Sequence, residues 1–345
     1  MKRVTAFAAV LLITMKLLIP SYAMETEPET VKPNETATVS YSESETVSYS
    51  EPETVNYNEP ATVNFNQYIL RAVMLTEDGG GYYTGKTPKA GLKHTAWEGM
   101  DMAVTVGNET VTVDTAQARP SFCSSATYMT LLKALSLWDT DSVISHDAWV
   151  NLKPYTVEGR AWAVQKDGVG CWGRANANGP GMAVLAAQLH AGCNTYLPPK
   201  DSRLSEDEYF SLWNNIESGD FLKLFWNQYI GAEGKVSESG HMVVFLHFEE
   251  FVNEKGNRDG MVYYWSSNGW GYNPDKGYGI AKARLSSIYR AVATHISDPS
   301  AFGNAANLMP DNVDSWLSAL DGKHLASEKE LLTAITVEPV SFHTK

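Results

Sequence analysis

The sequence predicts an α+β fold, and three observations predict it. Segments with helical periodicity come first, segments with strand character follow them, and the apolar content is high enough for one large core. Hydrophobic residues make up 43% of the 345-residue chain and aromatic residues 11%, which excludes disorder throughout.

The chain opens on Met1-Lys2-Arg3, an apolar run from Val4 to Ile19, and Pro20-Ser21-Tyr22-Ala23. A basic start, an apolar stretch and a small-x-small site form the order of a secretory signal, with cleavage expected after Ala23. The competing reading, an uncleaved anchor, is opposed by Lys16, which interrupts a run already short of the roughly 20 apolar residues of a span. No cysteine stands near the cleavage point for lipid attachment, and no second apolar stretch approaches membrane length. Residues 1–23 are therefore read as a bacterial-type signal peptide. The mature chain is expected without a transmembrane segment, and secreted, periplasmic or on the cell surface.

Glu27 to Asn66 is an octapeptide written five times: EPETVKPN, ETATVSYS, ESETVSYS, EPETVNYN and EPATVNFN. Each copy offers one valine and at most one aromatic among Glu, Pro, Ser and Asn, so ordering it costs more entropy than its burial returns. Residues 24–66 are expected to be a disordered, self-repelling acidic spacer. An inhibitory pro-segment would need apolar anchors at structured spacing, and none is present.

A catalytic body is expected over 67–295. Gly79-Gly80-Gly81, Gly85 and Pro88 predict an irregular loop. Ala103–Val106, Gly107-Asn108 and Thr110–Val113 predict a β-hairpin. Ser124–Leu137 has helical periodicity behind Pro120 and Ser121, a second helix is expected over Met182–His190, and a third over Glu206–Ile216. Strands follow at Phe221–Trp226, His241–Phe248 and Met261–Trp265. The remaining 296–345 reads as a short helical extension, with helices near Val313–Leu320 and Ser327–Ile335 that either pack on the body or form an appendage.

The net charge of −13 is uneven, with about −8 in the repeat segment and −8 in the body. Duplex binding wants the opposite sign, so nucleic acid is not an expected partner. No His-Glu-x-x-His, paired Cys-x-x-Cys or phosphate-cradling loop occurs, so neither a metal nor another cofactor is expected.

Three cysteines leave one unpaired in an oxidising compartment. Cys171 and Cys193 bracket a short segment and could pair together, which would leave Cys123. It stands where a loop gives way to a helix, and helix N-terminal N–H groups stabilise a thiolate. His241 opens the apolar strand Met242-Val243-Val244-Phe245-Leu246, a setting that suits a general base. His247, six residues on along the same face, lies too far away to share the site. Asn268 ends the following strand, where a returning hairpin brings it back toward His241 to orient the imidazole.

The order of PSFCSSATYMTLLKAL, SGDFLKLFW, GHMVVFL and YYWSSN resembles the papain-like cysteine peptidase superfamily, and within it the NlpC-type cell-wall peptidase and amidase branch. The resemblance covers 117–279 by order of motifs. It departs from the branch at Phe122, usually acidic, at Ser125, usually Gly, and in the long segment around Gly170–Gly179. It implies an NlpC-like core with the Cys-bearing helix packed on an antiparallel sheet. It further implies Cys123 as nucleophile, His241 as base, Asn268 as orienter and Asp220 as a turn residue. Gln117, six residues before Cys123, has the spacing of a papain-like oxyanion donor.

Amide hydrolysis in peptide or peptidoglycan substrates is the function this resemblance implies. Arg174, Asn176 and Trp172, with Asn178, are the residues expected to line a pocket for a carboxylate-bearing stem peptide. Two other classes stay open: a non-catalytic surface or binding module on the same fold, and a transglutaminase-like acyltransferase, which usually shows Asp as third member. Asp275 would be that Asp.

Overall fold

The structure is a computed structural model that describes residues 64–108, 110–155, 165–177, 179–200, 202–227 and 240–320. Its centre is an antiparallel sheet of seven strands: β1 (Gly79–Tyr83), β4 (Cys193–Leu197), β5 (Phe221–Phe225), β6 (Gly240–Val252), β7 (Arg258–Asn268), β8 (Tyr272–Arg284) and β9 (Arg290–His295). They lie in the order β1-β8-β7-β6-β5-β9-β4, while β2 (Val104–Val106) and β3 (Val111–Val113) form the expected separate hairpin. The described helices are α1 (Asn66–Met74), α2 (Ala96–Ala103), α3 (Cys123–Trp138), α4 (His146–Leu152), α5 (Gly170–Asn176), α6 (Met182–Leu189), α7 (Glu206–Asn214) and α8 (Ser315–Leu320). This is the predicted α+β class. No helix among the described residues is long and apolar enough to cross a membrane.

Both faces of the sheet are covered, which explains why β5 and β6 read as nearly unbroken apolar runs. Phe221, Met242, Val244, Trp265 and Tyr278 face a core that includes Ala126, Met129 and Leu132 of α3. Leu222, Leu224, Val243, Phe245, Val262 and Tyr264 face the other way, against Tyr209, Phe210 and Trp213 of α7. A bulge between Phe245 and His247 breaks the alternation, so that Phe248 rather than His247 continues the α7 face. His247 is exposed, and the shared face that simple alternation assigned to His241 and His247 does not hold.

Helix α3 is buried along nearly its whole length, from Ser125 through Leu135. Its polar residues survive there by bonding back along the helix, Thr127 Oγ1 to the Cys123 carbonyl at 3.2 Å and Thr130 Oγ1 to the Ala126 carbonyl at 2.9 Å.

Two boundaries differ from the sequence reading, and one left open is decided. Residues 1–23, read as a signal peptide, and residues 24–63, read as spacer, lie outside the described residues, but the last octapeptide contributes Phe65 and Asn66 to the core, 1% and 2% exposed. Its aromatic joins Ile69 and Ala72 of α1 in that core. Gly79-Gly80-Gly81, read as a loop, is instead the edge strand β1 paired to β8. Gly80 has φ +86, and a Cβ there would stand 2.3 Å from Arg119 Cδ, so glycine is what permits the approach. At the other end, Phe302, Ala305 and Leu317 are buried, so the described part of the C-terminal extension packs on the body. The helix expected over Ser327–Ile335 lies outside the described residues.

Asp220 precedes β5 and holds three elements together. Its Oδ1 accepts from Asn66 Nδ2 at 2.8 Å and pairs with His295 Nδ1 at 2.8 Å, while Oδ2 accepts from the Glu217 N–H at 3.0 Å. Gly219 (φ +100) makes room, because a Cβ there would meet Asn66 Cβ at 2.7 Å. The hydrogen bond that His295 donates to Asp220 raises the pKa of His295 above its usual value, although burial opposes the shift. A raised folded-state pKa stabilises fully below the unfolded value of about 6.5, and the gain is lost as pH rises through the folded value. Asp220→Ala is expected to cost about 2–4 kcal/mol by leaving buried partners unpaired. In urea unfolding, the gap between Asp220→Asn and the parent chain should be wider at pH 5.5 than at pH 8.5, and an unchanged gap would refute the assigned charge on His295.

Candidate active site

Strands β5, β6, β7 and β8 run together through most of their length, but the sheet forks at one end. The β6–β7 ladder stops at Val244↔Trp265, while β6 stays paired to β5 through Met242↔Lys223 and Gly240↔Phe225. Strand β7 likewise stays paired to β8, through Asn268↔Gly277. Between the two prongs, backbone groups that a ladder would satisfy need other partners. Phe245 exchanges hydrogen bonds toward β5, with the Asp220 carbonyl and the Gly219 N–H, so by alternation the N–H and C=O of Met242 point into the fork. The carbonyl accepts from Ser266 Oγ at 2.7 Å, and the N–H bonds the sulfur of Cys123.

Cys123 reaches the fork because it is the first residue of α3. Phe122 is extended, with φ −142 and ψ 173, and provides no side-chain cap, so the positive end of the helix is left to the sulfur. Ser121 Oγ donates to Ser267 Oγ at 2.8 Å, fixing the segment before the cysteine to the end of β7.

His241 hydrogen-bonds the thiol. Its Nε2 lies 3.1 Å from Asn268 Oδ1, and its ring meets Tyr264 edge-on with centroids 5.5 Å apart. The tautomer follows from Asn268, whose Nδ2 donates to the Gly279 carbonyl at 2.9 Å and the Ser266 carbonyl at 3.3 Å. Carbonyls only accept, so the amide oxygen is the atom turned to the imidazole, and an amide oxygen also only accepts. Nε2 therefore carries the proton, and Nδ1 is left as the lone-pair nitrogen for the thiol.

Electrostatics favour the thiolate. Burial by itself raises the Cys123 pKa, but hydrogen bonding and charge from His241, the charge of Lys223 and the Met242 N–H together bring it down to about 6. Lys223 is half-buried on β5, opposite Met242, and burial lowers its own pKa to about 8 against the pull of Cys123 and Asp167. Tyr82 of β1 is close enough to Cys123 to feel its charge, and burial pushes its phenol well above the usual range. A β-bridge to Ser121 holds it there.

The geometry thus brings Cys123, His241 and Asn268 together, and it separates the other sequence candidates. Gln117 is exposed, and its amide is turned to Asp114 Oδ2 at 2.9 Å; the spacing that nominated it as an oxyanion donor is spent on a local turn. Trp172 is 1% exposed and packs on Phe122 and Tyr128, in the core rather than in a pocket. Arg174, 3% exposed, bonds Gln188, the Gly170 carbonyl and Asn312, so its guanidinium fastens the C-terminal segment instead of awaiting a carboxylate. Asn176 does border the site: Oδ1 accepts from Ser124 Oγ at 2.6 Å, and Nδ2 donates to Asp167 Oδ1 at 2.6 Å. Asn178 lies outside the described residues. Cys171 and Cys193 do not pair, and all three cysteines are free. Asp275 is exposed, and Asn268 rather than Asp275 holds His241.

Sequence reasoning missed Lys223, Tyr82 and the pair Ser266–Ser267. A lysine inside the apolar strand FLKLF was the available signal for the first. No known protein family matches the chain, and neither a curated protein nor a solved structure resembles it significantly.

The balance of forces on Cys123 has a direct readout. Iodoacetamide alkylation should show a thiolate midpoint near pH 6, against about 8.5 for a free thiol. His241→Ala and Lys223→Met should each move that midpoint upward, and Cys171, 0% exposed with its pKa pushed up to about 12 by burial, should stay unmodified until unfolding. A midpoint above pH 8 in the parent chain would refute the assignment.

Proposed function

We propose that this chain is a secreted thiol hydrolase of papain-like type that cleaves amide bonds in peptidoglycan stem peptides through a Cys123 acyl-enzyme. The observation that carries the reading is the continuous contact Cys123–His241–Asn268 at the forked end of the sheet, with the pKa of the sulfur lowered to about 6. The signal-like N-terminus supports export, and the order of motifs shared with the NlpC-type branch supports the wall substrate.

In this mechanism the sulfur attacks the amide carbonyl carbon while the imidazole holds the thiol proton on Nδ1. The negative oxygen of the tetrahedral adduct takes hydrogen bonds from the Cys123 N–H at the helix start. Since Gln117 is turned away, the phenol of Tyr82 is the side-chain donor beside the sulfur that suits this oxygen. As the carbon–nitrogen bond breaks, His241 gives its Nδ1 proton to the leaving amine. Water then attacks the thioester, passes a proton to the same nitrogen, and releases the carboxylic acid and the thiol. Asn268 accepts from Nε2 throughout, so the ring keeps its orientation in both protonation states.

Purified cell wall incubated with the parent chain should release new free amines and matching cleaved muropeptides by mass spectrometry. Cys123→Ala should lower that rate to below about a thousandth, His241→Ala by about 10²–10⁴-fold, and Asn268→Ala by less than His241→Ala. Hydrolysis undiminished in Cys123→Ala would overturn the proposal. Amine release that requires an added acceptor amine would assign acyl transfer instead.

A further inference from the structure

Trp270 is 91% exposed, the most exposed of the large hydrophobic residues among those described. It sits in the turn between β7 and β8, two residues beyond Asn268, a reach of about 7 Å between Cα atoms. That turn is not a loose tip. A Cβ on Gly269 would fall 2.6 Å from Tyr82 Cβ, so the residue after Asn268 lies directly against β1. On the far side of Trp270, Tyr272 meets Tyr83 edge-on with centroids 5.7 Å apart, and Lys89 Nζ stands 5.0 Å over the Tyr272 ring. The indole is thus an uncovered flat apolar surface, carried by a pinned hairpin, on the rim of the site that holds Cys123.

Its neighbours decide what it fits. An aliphatic or aromatic peptide side chain wants a concave apolar pocket. Trp270 stands instead on an open turn, with half-buried Asn273 and exposed Asp275 further along β8 and exposed Lys89 over the Tyr272 ring. A pyranose ring has the complementary chemistry, with an apolar face of C–H bonds for stacking and hydroxyl or acetamido groups around its edge for polar partners. We infer that Trp270 and the adjoining Tyr272–Tyr83 pair form a saccharide-binding rim that seats the glycan to which the scissile peptide is attached. The inference rests on the proposed wall-peptide activity for the attached peptide, but the stacking surface is testable without it.

The test is calorimetric titration of full-length Cys123→Ser chain with N-acetylglucosamine tetramer, alone and combined with Trp270→Ala or Trp270→Phe. Trp270→Ala should weaken binding about tenfold or more and Trp270→Phe less, with no change in thermal midpoint because the side chain is exposed. No measurable binding by the Cys123→Ser chain, or equal affinity in Cys123→Ser/Trp270→Ala, would overturn the inference. In the otherwise parental chain, Trp270→Ala should raise KM on glycan-linked peptide and leave hydrolysis of the sugar-free peptide unchanged. Equal impairment on both would mean that the rim holds peptide, which also overturns it. Failure of the parent to cleave either peptide would count against the hydrolase reading alone, since the titration is decided separately.

Discussion

The fork between β6 and β7 is the constraint on which the rest of the site depends. Buried backbone groups must find partners, and parting two central strands leaves several without their ladder bonds. Three consecutive residues at the end of β7 answer this need in different directions. Ser266 bonds the Met242 carbonyl, Ser267 bonds Ser121 before the helix, and Asn268 holds His241. The sulfur of Cys123 takes the remaining Met242 N–H. The geometry of the Cys123 site and sheet satisfaction are therefore one network, and the thiol is part of how the fold closes.

Half-buried Cys123 and buried Cys171 make an internal comparison. Cys171 sits in the core near Arg174, whose guanidinium is already engaged with Asn312 and Gln188, and burial pushes its pKa up to about 12. Burial raises the Cys123 pKa too, but this sulfur gains an imidazole, an ammonium and a backbone N–H, and falls to about 6. The donors and charges around the sulfur set Cys123 apart, as expected where low dielectric strengthens each nearby charge. Lys223 shows the reciprocal cost, being held near 8 by the same burial.

The parts of the site legible from sequence were those in which one element's local chemistry implies its position. A cysteine at a helix start, a histidine at the mouth of an apolar strand and an asparagine at a strand end each follow from periodicity and turn signals, and the structure puts them in contact. What was not legible depends on pairing. Strand β8 carries Asn273-Pro274-Asp275 and two glycines, which read as loop, and it becomes a strand only because β7 and β1 flank it. Gln117 had the right separation along the chain but faces Asp114, because spacing does not specify which side of a turn an amide takes. Arg174 and Trp172 looked like pocket residues in a glycine-rich stretch, yet that stretch is helix α5, buried by the C-terminal segment. His295 offered no local signal at all, since Asp220 and Asn66 approach it from 75 and 229 residues away.

Placing both the orienting amide and the exposed indole on one hairpin ties chemistry to the rim. Strand β7 cannot shift its register at Asn268 without losing the Ser266 and Ser267 bonds, and Gly269 cannot move outward without leaving Tyr82. Tyr82 is in turn bridged to Ser121, two residues before Cys123. A ligand resting on Trp270 would thus be held at a fixed distance from the sulfur by a closed circuit of strand, turn and helix start, with no flexible segment intervening. Such rigidity is what converts binding energy at a remote group into orientation at the reacting carbon. It also accounts for a bulky aromatic being left uncovered on so firmly held a turn, because a mobile turn would let the ring fold back onto the protein surface.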